Sequence, residues 1–157
     1  MIKKIFLFLI FIFLIGCKSK STLTHPENKP TYTPITLNQA NSTLKKRAYE
    51  LGKRVLMTCN TSTFKPFTSE EATTEVIQKV NKDRISETCQ NIIKSFGKFN
   101  DIKLIEVYRI ETEQLTVFRY KCDYEKKYRI KELRITMNDA KQITALTTID
   151  WNDTFSY

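Results

Sequence analysis

Hydrophobic positions along this chain change their period twice. An unbroken apolar run, Ile5 to Ile15, follows a short basic start at Lys3 and Lys4 and closes on Leu14-Ile15-Gly16-Cys17. The next stretch, Lys18 to about Pro34, has few apolar residues and carries Pro26, Pro30 and Pro34 among polar ones. Such a composition cannot bury a core and reads as an extended spacer, reaching at most roughly 60 Å at ~3.3–3.6 Å per residue. Beyond it, Leu37, Ala40, Leu44, Ala48, Leu51 and Val55 recur at intervals of three and four. That spacing predicts an amphipathic helix to about Met57, opened by Thr36 and Gln39 in the arrangement of a capping box. Thr68 or Ser69, followed by Glu70 and Glu71, predicts a short second helix to about Lys79. A third is predicted from about Lys82 to Phe96, with Ile85, Cys89, Ile92, Ile93 and Phe96 inward and Gly97 as its stop.

After Gly97 the helical period gives way to alternation. Four strands are predicted near 101–111, 114–124, 128–137 and 142–151, and connections this short permit only antiparallel neighbours. Phe118, Tyr120, Cys122 and Tyr124 share one face of the second. In the third the phase slips between Tyr128/Ile130 and Leu133/Ile135/Met137, which places a bulge near Lys131-Glu132. Helices followed by an antiparallel meander define an α+β domain over residues 36–157, its N-terminal helices packed on a bent four-stranded antiparallel sheet.

The N-terminal run is too short for a membrane span. Its 11 residues fall below the roughly 18 that cross the hydrocarbon core and match the ~7–15 of a cleaved export signal. With Gly16-Cys17 at its end, the segment resembles the bacterial lipoprotein signal with its lipobox. The resemblance implies cleavage after residue 16, a diacylglycerol on the Cys17 sulfur, and acylation of the new amino terminus by a palmitate-type chain. Residues 17–35 would then be lipidated cysteine and spacer, and two or three acyl chains make attachment effectively permanent. Lys18 rather than Asp after Cys17 does not resemble the inner-membrane retention signal, which points to the outer membrane.

Charge and cysteines are read in that compartment. The formal charge is +9, of which Lys3 and Lys4 belong to the signal, so about +7 remains. On an exported chain this faces anionic headgroups and envelope polymers, not nucleic acid. Cys59, Cys89 and Cys122 permit one disulfide in any of three pairings. Cys89 and Cys122 also fit as small core residues. His25, alone in the spacer, has no companion ligand, and no metal site or cofactor is expected.

The stretch from about Thr36 to Tyr157 resembles the cone-shaped, cystatin-like fold of the nuclear transport factor two-like superfamily. The features that carry this are the Ile92-Ile93-Lys94-Ser95-Phe96-Gly97-Lys98-Phe99 helix exit, four long strands and the closing Ile149-Asp150-Trp151. The small lipoprotein of the outer-membrane barrel-assembly machine is a second resemblance, from which this chain differs by one strand and one helix. The superfamily implies a pocket inside the cone, for which Glu106, Tyr108, Phe118, Tyr120, Tyr124 and Tyr128 are candidates. Strict alternation places Glu106 with Ile102, Leu104, Tyr108 and Ile110, where a carboxylate among apolar neighbours is the setting of a general base. Ile105 and Val107 are apolar too, so the pattern leaves open which face turns inward. The opposite faces would carry Lys103, Arg109, Arg119, Lys121, Arg129 and Lys131 as a solvated basic surface. Two functions follow as expectations: a non-enzymatic, lipid-anchored envelope domain that binds a protein partner or small amphipathic ligand, or an isomerase-like or hydratase-like enzyme using Glu106. Only three glycines and one histidine are present, which leaves no phosphate loop and no Ser/His/Asp or Cys/His set.

Overall fold

The Thr36–Gln39 capping box forms, but it closes a turn that stands ahead of the helix. The Gln39 amide donates to Thr36 Oγ1 at 3.3 Å and the Thr36 amide to Gln39 Oε1 at 3.2 Å. Helix α1, Ser42–Thr61, starts instead at Asn41, whose side chain accepts from the amides of Thr43 and Leu44 at 2.9 and 3.1 Å. The computed structural model describes residues 30–156. The signal, Cys17, His25 and the spacer as far as residue 29 therefore lie outside the described residues.

Ala40, Leu44, Ala48, Leu51 and Val55 are buried as their spacing requires, whereas Leu37 is exposed. The second start signal is displaced in the same way as the first. Thr68 and Glu71 form a turn, and helix α2, Thr74–Lys79, begins only after Ala72 has bridged to Ile143. Helix α3, Lys82–Phe96, has the expected bounds. Gly97 ends it with a φ of +75°, and a Cβ there would meet the Glu125 carboxylate at 2.5 Å, so both backbone and space require glycine.

The sheet has five strands, not four: β1 Thr33–Ile35, β2 Phe99–Ile110, β3 Leu115–Tyr124, β4 Lys131–Asn138 and β5 Ile143–Asp150. They lie in chain order, every pair antiparallel. The added strand β1 falls where composition indicates spacer, because three residues with one proline carry no periodic signal. It pairs with Val107–Arg109 of β2. No bulge occurs near Lys131-Glu132, since the β3–β4 register is unbroken from Leu115↔Asn138 to Cys122↔Lys131. Tyr128 and Ile130 simply precede the strand. The register shifts lie elsewhere, between Phe99 and Asp101 and between Leu104 and Glu106 in the β2–β3 pairing, and at Thr136/Met137 between β4 and β5.

One sheet face packs on the helices through Val107, Phe118, Tyr120, Leu133, Ile135 and Met137, each at most 1% exposed. Helix α1 approaches β4 at Gly52, where a Cβ would stand 2.6 Å from Ile135 Cδ1 and 2.7 Å from Leu133 Cδ2. The opposite face is covered by the tail at 151–156, which brings Trp151 and Phe155 over β3 and β4.

The turn before α2 is pinned to α1 by a bidentate pair, Arg54 to both Glu71 oxygens at 2.7 Å. The Arg54 guanidinium, with the Thr68 amide, holds the Glu71 carboxyl at about 2 against an ordinary 4.5. A depressed folded-state pKa contributes stability that is present above the unfolded value and is lost on acidification. The wild type is therefore expected to lose urea resistance between about pH 4.5 and pH 2 more steeply than Glu71→Gln. Parallel slopes for the two proteins across that window would show the pair to be energetically idle.

Candidate functional site

The six residues grouped as a pocket by the sequence are divided among three places. Phe118, Tyr120 and Tyr124 are core, at most 3% exposed, and Tyr124 lies 5.6 Å from the Phe96 ring and 5.5 Å from that of Phe99. Burial raises the phenol pKa of both tyrosines. Tyr128 is 67% exposed, lies parallel to Phe96 at 5.7 Å and donates its hydroxyl to the Ser95 carbonyl. Glu106 and Tyr108 are on the other side of the sheet. The reason is the extra residue at Ile105: Leu104 still pairs with Tyr120, but Glu106 pairs with Arg119. Past that bulge Glu106 and Tyr108 leave the face of Ile102 and Leu104.

There Glu106 joins a charge network, not an apolar pocket. Arg119, 0% exposed, donates Nε and Nη2 to the two oxygens of Glu132 at 3.0 and 2.7 Å. It also donates Nη1 to Glu106 at 2.5 Å and Nη2 to the Asn152 carbonyl at 2.7 Å. Glu132, likewise 0% exposed, accepts from Arg134 Nε at 2.7 Å. Tyr108 donates its hydroxyl to Glu106 at 2.8 Å. Burial pulls the Arg119 pKa down, but the hydrogen bonds from its carboxylate partners outweigh it and the net shift is upward. Burial acts oppositely on Glu132, and again Arg119 and Arg134 prevail, so its pKa is lowered. Both groups stay charged. Trp151 lies 4.4 Å above the Arg119 guanidinium, Phe155 lies 4.9 Å from that of Arg134, and the Tyr108 ring stacks on Phe155 at 4.1 Å. Arg119, expected in the solvated basic surface, is thus fully buried together with its partner Glu132. The signal that was available is complementary charge at cross-strand positions, which becomes readable only once register is known.

A cleft of about 680 Å³ opens between the C-terminal half of α1 and helix α3. Phe64, Ile85 and Ile93 supply apolar wall, Lys82, Lys94 and Lys98 are basic, and the Cys59–Cys89 disulfide lies in the lining. That bond settles the pairing left open by the sequence and leaves Cys122 as a buried thiol, whose pKa burial pushes up to about 12. Phe96 is the only residue of α3 that is fully buried, so the bond to α1 does much to hold the helix in place. A second, smaller cleft of about 360 Å³ lies at the end of β3 and the connection to β4 and is lined by Lys103, Lys121, Lys126, Lys127 and Arg129 with Asp123. Arg109 is drawn away from this surface by Asp139 and Lys131 by Asp150. Among the described residues no group of three His, Cys, Asp or Glu side chains is placed to hold a metal ion, and no helix is long and apolar enough to cross a membrane.

No protein-family model, curated protein or solved structure matches this chain.

Cross-linking residues separated by 30 positions restricts the unfolded chain, worth roughly 3–4 kcal/mol in the loop-entropy model. The Cys59→Ser/Cys89→Ser double variant is expected to lose about that much stability in denaturant melts, with amide protection in α3 falling first. Unchanged exchange in α3 would mean that Phe96 and its neighbours hold the helix alone.

Proposed function

We propose that this chain is a lipid-anchored cell-envelope protein whose α+β domain is a non-enzymatic binding module, taking a small amphipathic ligand between α1 and α3. The observation that carries this is the composition of that cleft, an apolar strip of Phe64, Ile85 and Ile93 beside Lys82, Lys94 and Lys98. Such a surface suits a ligand with an apolar body and an anionic end. The lipobox ending in Cys17 supports the anchor, and the Cys59–Cys89 disulfide agrees with an oxidising compartment. Kinship with the nuclear transport factor two-like superfamily is supported by the order of three helices and four long antiparallel strands. The enzyme reading loses its free base, because the Glu106 carboxylate is held by Arg119 and Tyr108.

Intact-mass measurement tests the anchor: the membrane-extracted chain should begin at a diacylglyceryl-modified Cys17, and Cys17→Ser should be neither acylated nor processed in that way. An uncleaved, unlipidated wild type would refute it. For the cleft, calorimetric titration of dodecanoate into a detergent-free chain lacking residues 1–17 should show saturable binding. Ile93→Asp should weaken it about tenfold or more, the effect of losing one apolar side-chain contact. Equal affinity for both chains would place the ligand elsewhere.

A further inference from the structure

Lys103 and Lys121 stand directly opposite one another on β2 and β3. Like charges in that relation are destabilising, so a sheet normally places a carboxylate beside them. Here each neighbouring carboxylate is already taken: Asp101, two residues before Lys103, is held by Lys53 and Tyr49. On its other side Lys121 pairs with Glu132, but both oxygens of Glu132 are occupied by Arg119 and Arg134. Lys127 takes Asp123, and Arg129 and Lys131 share Asp150. Among the described residues neither Lys103 nor Lys121 has an ion-pair partner within 4.0 Å, the second resting instead with its Nζ 4.4 Å from the Trp151 ring centroid. The cleft around them has five cations in its lining and a single carboxylate, already neutralised by Lys127.

We propose that this cleft binds a phosphate-bearing group, with Lys103 and Lys121 as its principal ligands and Arg129 at its margin. Ammonium groups converging from two adjacent strands act as point charges on separate oxygens of one phosphate, and a guanidinium adds a planar pair of donors. A bound phosphate would supply the counter-charge that the fold withholds from the cross-strand lysines. Trp151 holds Lys121 from one side, and its own position is fixed by the Arg119 guanidinium beneath it. The site is separate from the α1–α3 cleft and does not depend on what that cleft takes. Phosphate of this kind is presented either by a lipid headgroup or by a soluble phosphate.

The chain has one tryptophan, Trp151, so the site carries its own reporter. The detergent-solubilised full chain is titrated at constant ionic strength with inorganic phosphate, and separately with phosphatidylglycerol or phosphatidylcholine in mixed micelles. A saturable change in Trp151 fluorescence is expected, weakened about tenfold or more in Lys103→Gln, as the loss of one charge-assisted hydrogen bond implies. Lys103 is exposed, and a thermal melt of the variant confirms its fold. Saturation by inorganic phosphate alone identifies a soluble ligand. Saturation only by phosphatidylglycerol identifies a headgroup. No saturable change with any probe, or an unchanged response in Lys103→Gln, would overturn the proposal.

Discussion

Arg119 and Glu132 lose all contact with solvent on the sheet face that turns away from the helices, and much of the remaining structure is arranged to make that tolerable. An ion pair removed from water regains its desolvation cost only when geometry is good and every remaining donor and acceptor is used. Both carboxylate oxygens of Glu132 and all three guanidinium nitrogens of Arg119 are engaged, and Arg134, Glu106 and the Asn152 carbonyl complete the set. Three strands and the tail are thereby tied together. A slip of one residue would carry Arg119 into the hydrophobic layer beneath α1, so the network specifies register as well as stability. It also explains why the tail lies across the sheet, since Trp151 and Phe155 form the roof that keeps water from the ions.

The two sheet faces are consequently closed by different chemistry. On the helix side, apolar side chains interdigitate closely enough that Gly52 brings α1 onto β4. On the other side, charge and aromatic rings do the work. Neither face retains the open interior expected of a cone-shaped pocket at Phe118 and Tyr120. The clefts lie at the margins instead, one where the loosely buried α3 meets α1 and one at the end of β3 and its connection to β4.

Local periodicity made the helices and four of the strands legible. α3 falls where the apolar spacing and the Gly97 stop place it, and the structure adds the cap at Asn81, whose side chain accepts from the Arg84 amide. Thr36 and Thr68 mislead because each opens an isolated turn: the Thr36 hydroxyl accepts from the Gln39 amide, whereas at Thr68 the amide donates to the Glu71 carboxylate and the carbonyl accepts from the amides of Glu71 and Ala72. Glu106 and Tyr108 are misplaced by one residue, Ile105. A bulge reverses the facing of everything beyond it, and alternation counted through it joins Glu106 to the wrong side. The ion network was illegible because its members are brought together by cross-strand register, and Arg119 taken alone has the signature of a solvated position.

The central claim is that the buried pair is held by mutual compensation, and a double-mutant cycle in denaturant tests it most directly. Arg119→Met leaves the buried Glu132 carboxylate with Arg134 as its one remaining partner and should cost about 3–5 kcal/mol, whereas Arg119→Met combined with Glu132→Leu should restore most of that loss. A single variant that loses less than about 1 kcal/mol, or a double variant whose losses simply add, would contradict it, because independent surface ions behave in that way.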